Sequence, residues 1–229
     1  MRAFLHRACR KTPPYRNHKK GKIMIAVIDY GMGNLRSVEK ALQSLGYDAQ
    51  ITGDPEKVLK ADRAVLPGVG AFGDCLDGLV KTGLKDAVLE YIKTGKPMLG
   101  ICVGMQLLFD KSLEFGEHEG LGVFKGVVKK FPDEIAHKGM KIPQMGWNQI
   151  DKKFEHPLLD GVNSGDYFYF VHSYCVSAEE KGVEALSCNY GVDFTAMCIR
   201  DNVAATQFHP EKSQKLGVHL LKNFGEWKC

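Results

Sequence analysis

Gly100-Ile101-Cys102-Val103-Gly104 sets a cysteine between two glycines, directly after an apolar run and ahead of a segment with helical spacing. A nucleophile held as G-x-nucleophile-x-G between strand and helix is the arrangement of a nucleophile elbow. The glycines leave room for a tight turn that lifts the sulfur above the sheet edge. There it meets the N–H groups and dipole of a helix N-terminus, which favour the thiolate. The Val103 N–H then points at an oxyanion formed on an attacked carbonyl. Small-residue packing is the ordinary fate of a free cysteine. It fits the other six cysteines, whereas the flanking glycines set Cys102 apart.

A cysteine nucleophile needs a base, and the base needs an orienting group. His209-Pro210-Glu211 ends the strand-like run 203–208, and strand ends are where functional groups collect in open α/β sheets. Glu211 is close enough in sequence to hold the imidazole. Any one of the eight histidines is more often structural than catalytic. The elbow and the late His-Pro-Glu together are far more specific, and they predict thiol-based acyl transfer.

The elements that must position these groups alternate. Residues 23–29 form a continuous apolar run that reads as a buried parallel strand. A glycine turn follows, then helical spacing over 37–45 that ends at Gly46. Short strands are predicted over 49–51 and 63–66, the latter stopped by Pro67-Gly68-Val69-Gly70. A helix is predicted over 84–93, a strand over 97–101 and a helix starting over 105–110. This order predicts an α/β fold with a mostly parallel central sheet and helices on both faces. Past residue 115, strand-like pieces at 126–131, 165–171, 182–188, 197–200 and 203–208 predict added antiparallel strands. A helix over 214–224 closes the chain. With no internal repeat and no low-complexity linker, 23–229 reads as one domain. Gly31-Met32-Gly33 follows a strand but lacks the third glycine of a dinucleotide fingerprint, so it is weak evidence for one.

Composition narrows the class. In 229 residues, 44% are hydrophobic and 25% charged, which is globular. No run of about 18 apolar residues exists, so no membrane span is predicted. Seven cysteines at irregular spacing, without a CxxC pair, argue against a disulfide scaffold or zinc ribbon and for a reducing, cytoplasmic setting. No metal and no cofactor is expected. The net charge of +4 hides an asymmetry, because residues 1–22 hold eight Lys or Arg and no acid. The body carries 23 basic against 27 acidic residues, a net of −4, so it gives no sign of nucleic-acid binding. The basic segment lacks the apolar stretch of a secretory signal. It reads as a disordered leader or upstream start ahead of Met24; a mitochondrial presequence and an RNA-binding tail are the functional alternatives.

Three motifs in order, Pro67-Gly68-Val69-Gly70, Gly100 to Gly104 and His209-Pro210-Glu211, resemble the oxyanion loop, elbow and terminal His-Pro-Glu of the class I, triad-type glutamine amidotransferases. That family has a flavodoxin-like core. Asp29 to Leu35, Gly104 to Phe109 and Met145-Gly146-Trp147-Asn148 resemble, more finely, the glutaminase subunits of imidazole glycerol phosphate synthases, which serve histidine biosynthesis. The resemblance spans about residues 24–227. It implies that Cys102 attacks the side-chain amide of glutamine, that His209 moves the protons and that Glu211 fixes the imidazole. The implied oxyanion hole joins Val103 to an N–H of the 67–70 loop, at Val69 or Gly70. Gly68, Gln106, Glu114 and His172-Ser173-Tyr174 match positions that bind the glutamine. Read from the residues alone, Gln106 and Glu114 are solvated helix-face positions, and 172–174 is a half-buried edge strand. Asn34, Trp147 and Lys212 match contacts to a second subunit, a (β/α)8-barrel cyclase that receives the ammonia. No barrel-length segment follows residue 229, so that partner is expected as a separate chain. Before Met145 the family has histidine and this chain has Gln144, a position near the partner contact. Two alternatives remain at this point: a glutaminase serving another synthase, and a catalytically silent docking module.

Overall fold

The computed structural model describes residues 22–229, so the basic extension assigned to 1–22 lies, except for Lys22, outside the described residues. The first half follows the strand and helix order that the sequence predicts, with two further helices, over 55–60 and 72–81, that it does not. Its elements are β1 (Met24–Ile28), α1 (Leu35–Ser44), β2 (Asp48–Thr52), α2 (Pro55–Lys60), β3 (Arg63–Gly68), α3 (Phe72–Lys81), α4 (Leu84–Lys93), β4 (Met98–Cys102) and α5 (Val103–Leu107). The second half is strand-rich: β5 (Phe109–Ser112), β6 (His118–Glu119), β7 (Phe124–Lys130), β8 (Gln144–Lys152), β9 (Tyr167–His172), β10 (Tyr174–Ala178), β11 (Glu184–Asn189), β12 (Asp193–Arg200) and β13 (Val203–Thr206). Helix α6 (Gln214–Glu226) ends the order.

Five parallel strands, in the order β2-β1-β3-β4-β13, make the half of the sheet that carries the elbow. The inner strands β1, β3, β4 and β13 are largely apolar because helices cover both faces, whereas edge strand β2 is mixed. Helix α1 packs with α6, whereas α2 and α3 both pack against α4. Beyond β13 the sheet continues as β12-β10-β7-β5-β6, entered through antiparallel β12, and β11, β8 and β9 branch from β12.

Two features matter for the site. Strand β13, late in the chain, pairs directly with β4, with Thr206 opposite Ile101. Strand β3 pairs with β4 on its other side, with Gly68 opposite Cys102. The carboxyl ends of three adjacent strands therefore meet, where α/β sheets place their ligands.

The helix expected to start over 105–110 is cut short. Helix α5 stops at Leu107 and the chain re-enters the sheet as β5 at Phe109. Backbone bonds from Leu121, Val123 and Phe124 to the carbonyls of Leu107 and Leu108 take the partners that a longer helix needs. Strand β3 also runs further than 63–66, through Pro67 and Gly68, because both pair with β4. Helix α2 is six residues long and polar, too short for periodicity to reveal. Its start is set by Asp54, which accepts from the Glu56 N–H, and by Pro55 in the first turn.

Candidate active site

Cys102 ends β4 with φ 57° and ψ −114°, a left-handed conformation that non-glycine residues adopt only under constraint. The constraint is close packing. A Cβ on Gly104 would collide with the Leu66 carbonyl oxygen, and one on Gly100 would stand 2.9 Å from the Gly104 oxygen. A side chain at Gly104 forces the elbow off β3 and one at Gly100 forces α5 off β4, so the glycine requirement is steric.

His209 leaves β13 beside the elbow. Its backbone N–H donates to the Tyr169 carbonyl at 3.0 Å, and its carbonyl accepts from Ser213 Oγ at 2.6 Å. The ring Nδ1 lies 2.8 Å from Glu211 Oε1, with both side chains almost wholly buried. With Nδ1 carrying the proton toward the carboxylate, Nε2 is left as the acceptor. That nitrogen is buried without a hydrogen bond. Burial opposes the charged ring, but negative charge on the Cys102 sulfur and on the Glu211 carboxylate outweighs it and pushes His209 up to about 9. A ring so placed takes a proton readily from a neighbouring thiol.

The cavity over the sulfur measures about 410 Å³. It is lined by Cys102, His209, Val69, Gly70, Val103, Gln106, Glu114, His172, Ser173, Tyr174 and Lys212. Most of the residues singled out in the sequence thus face one hollow, with Glu211, Gly68, Asn34 and Trp147 outside its lining. Gly68 lies beneath its floor, where a Cβ would stand 2.7 Å from the Gly104 nitrogen. The 67–70 loop is held from behind by Tyr30, whose buried hydroxyl donates to the Pro67 carbonyl at 2.8 Å. Gly70 has φ +98°.

Gln106 and Glu114 are not solvated helix-face residues, because both are buried. Glu114 sits just past β5, and its Oε2 accepts from the Phe72 N–H at 2.7 Å, at the start of α3. Burial raises its pKa, and that N–H opposes the rise. His172 ends β9 among the rings of Phe131, Phe170 and Phe194. Its Nδ1 donates to the Tyr174 carbonyl at 2.8 Å, and burial pushes it down to about 4, so it is neutral.

A model of the class-I glutamine amidotransferases matches residues 26–226. This chain belongs to that family. Among curated relatives, imidazole glycerol phosphate synthase subunit HisH of Syntrophotalea carbinolica is 52% identical over 205 residues, covering 89% of this chain and 100% of that protein. The subunit of the same name from Geobacter sulfurreducens is 51% identical over 206 residues, covering 89% and 99%. Among solved structures, PurLQS of Thermotoga maritima matches with a TM-score of 0.69 at 20% identity, over 89% of this chain and 98% of that one. That likeness carries the fold, and it agrees with the α/β class read from the sequence.

In this amidotransferase the residues matched to a partner surface stand apart from the catalytic hollow, Lys212 excepted. Trp147 is 44% exposed on β8 and lines a shallow recess with Tyr167 and Leu216. Asn34 borders another recess, with Arg36 and Glu39. Gln144, expected near the partner contact, is the first residue of β8. It is buried, paired in register with His172, and both polar atoms of its side chain lack hydrogen bonds.

Sequence reasoning missed three groups at the sulfur and its loop. The Val171 carbonyl lies 4.0 Å from Cys102 Sγ, and the Gln207 side-chain Nε2 lies 3.9 Å from it. Tyr30 is the third. Val171 acts through its backbone and so leaves no residue-type signal. Gln207 was legible only as one of two polar residues, with Thr206, at the end of an apolar strand. Among the described residues no cluster of three metal-binding side chains occurs, and no helix is long and apolar enough to cross a membrane.

Proposed function

We propose that this chain is the glutaminase subunit of an imidazole glycerol phosphate synthase of histidine biosynthesis. It hydrolyses glutamine and hands the ammonia to a separate cyclase subunit. The observation that carries the reading is the meeting of Cys102, His209 and Glu211 under one cavity, in a chain about half identical to subunits of that synthase. The word subunit in the relatives' names supports a partner. The barrel fold of that partner, glutamine as the substrate, the cytoplasmic setting and 23–229 as a single catalytic domain belong to the same reading.

The chemistry follows from the geometry. The Cys102 S–H bond breaks, its proton passes to His209 Nε2, and the sulfur attacks the amide carbon of glutamine. The oxyanion is received by the Val103 N–H and an N–H of the loop at Val69 or Gly70. The imidazolium returns its proton to the leaving nitrogen, which departs as ammonia. Water, deprotonated by His209, then opens the thioester and releases glutamate. Glu211 holds the ring in the tautomer that both halves need. Glu114 offers a carboxylate to the ligand's ammonium, with Gln106 and 172–174 forming the rest of the pocket. Asn34, Trp147 and Lys212 form the docking face.

The test is steady-state glutamate release by the chain alone, with the cyclase, and with the cyclase plus its nucleotide ligand. A rise of at least about a hundredfold in the last condition is expected, the size of one oxyanion donor swinging into place. Equal rates in all three would exclude partner-gated glutaminase action.

A further inference from the structure

Helix α5 is one short turn and a half, so its dipole gives the Cys102 sulfur less help than a full helix gives. Another donor stands at the sulfur. Gln207 is completely buried, two residues ahead of His209, with Nε2 3.9 Å from Cys102 Sγ.

The direction of that contact is fixed by a chain of bonds with one unambiguous end. The Tyr174 main-chain oxygen can only accept. Gln106 Nε2 donates to it at 3.1 Å, and the same nitrogen donates to Gln207 Oε1 at 3.0 Å. The second lone pair of the Tyr174 oxygen is taken by His172 Nδ1. Turning the Gln106 amide over would set oxygen against oxygen at Tyr174. Turning over Gln207 would set NH₂ against NH₂ at Gln106. Both amides are therefore locked by a backbone carbonyl, and Gln207 must present N–H to the sulfur.

We propose that Gln207 is a catalytic residue, a fixed hydrogen-bond donor to the Cys102 sulfur, aimed by Gln106 and the Tyr174 carbonyl. When the S–H proton leaves for His209 Nε2, the electron pair stays on sulfur and the Gln207 N–H holds that charge. Gln207 gives up no proton. When the thioester opens, the C–S bond breaks and the returning thiolate meets the same N–H. Hydrogen bonds to charged acceptors are the strong ones, which is where such a donor acts most. Because Tyr174 also lines the ligand cavity, the same carbonyl ties the pocket wall to the nucleophile.

The glutamine chemistry of this inference rests on the proposed function, but the donor itself is testable without glutamine. Gln207→Glu keeps the shape and still accepts from Gln106, yet its carboxylate cannot donate. Gln207→Met keeps the length and removes both polar groups. Each is alkylated with iodoacetamide over a pH series, with modification at Cys102 followed by peptide mass spectrometry and folding checked by near-UV circular dichroism. In a folded variant the Cys102 rate near neutral pH should fall at least about tenfold, with the profile displaced to higher pH. Glutamine turnover should fall in kcat with KM little changed. A folded variant that alkylates at the wild-type rate with the wild-type pH profile overturns the proposal. If the variants alkylate as stated but the wild-type chain does not hydrolyse glutamine with the cyclase present, the donor stands and the glutaminase reading fails.

Discussion

In the proposed mechanism Cys102, His209 and Glu211 act as one unit, and the single-residue predictions follow from that. Cys102→Ala should abolish glutamine-dependent product formation, since no other group at the cavity floor can carry the acyl intermediate. Product formation from added ammonium salts, measured on the complex with the cyclase, should survive. His209→Asn should remove acylation too, and the double variant should be no slower than either single one, because losses within a triad are not additive. His172 gives a pH prediction of a different kind. It is held neutral, with its folded pKa near 4 against an ordinary 6.5. Between those values the unfolded chain binds the proton and the folded one does not, so stability is lost as pH falls from about 6.5 toward 4. The loss approaches about 1.4 kcal/mol per pH unit. His172→Leu should flatten that part of a urea-midpoint-against-pH curve relative to wild type, and identical slopes would count against the assignment.

At the scale of elements, the loop after β3 is the part that must be placed correctly. The Tyr30 hydroxyl holds it from behind and Glu114 ties the following helix to the cavity wall. Tyr30→Phe leaves the buried Pro67 carbonyl without its donor, at a cost of roughly 1–3 kcal/mol. Urea unfolding should register that loss, and single-turnover acylation should slow because the oxyanion donors wander. Much of this half was legible beforehand. The elbow, the 67–70 loop and His209 all sit where an apolar run stops at glycine or proline, a signal that survives in one sequence. Helix α5 misled because Met105, Leu107 and Leu108 are spaced for a helix while tertiary bonds from 121–124 claim the Leu107 and Leu108 carbonyls. From their residue types alone Gln106 and Glu114 are solvated positions, and it is the closed sheet that buries them. Burial of that kind depends on strands β7 and β10, from far along the chain, and no local pattern encodes it.

For the whole molecule, Trp147, Met145 and Tyr167 put large apolar area on one exposed face of the β8–β9 pair. Trp147→Ala should weaken activation by the cyclase while leaving the chain's own melting temperature nearly unchanged; titrating the cyclase into a glutamate-release assay separates the two. Removing residues 1–22 should alter neither melting temperature nor partner affinity, because the family match begins only at residue 26. A clear drop in either would show a working segment there. The place of β13 has a consequence in time as well as in space. It lies between β4 and β12 in the middle of the sheet, yet it is the last strand made. Until it arrives, β4 and β12 each present an unpaired edge, and 105 residues separate Cys102 from Gln207. Contacts of such long range close slowly, and exposed edges invite pairing with other chains. A chain still being synthesised holds its thiol without a base beside it, so it cannot consume glutamine. The competence to react and the closing of the sheet arrive in the same event.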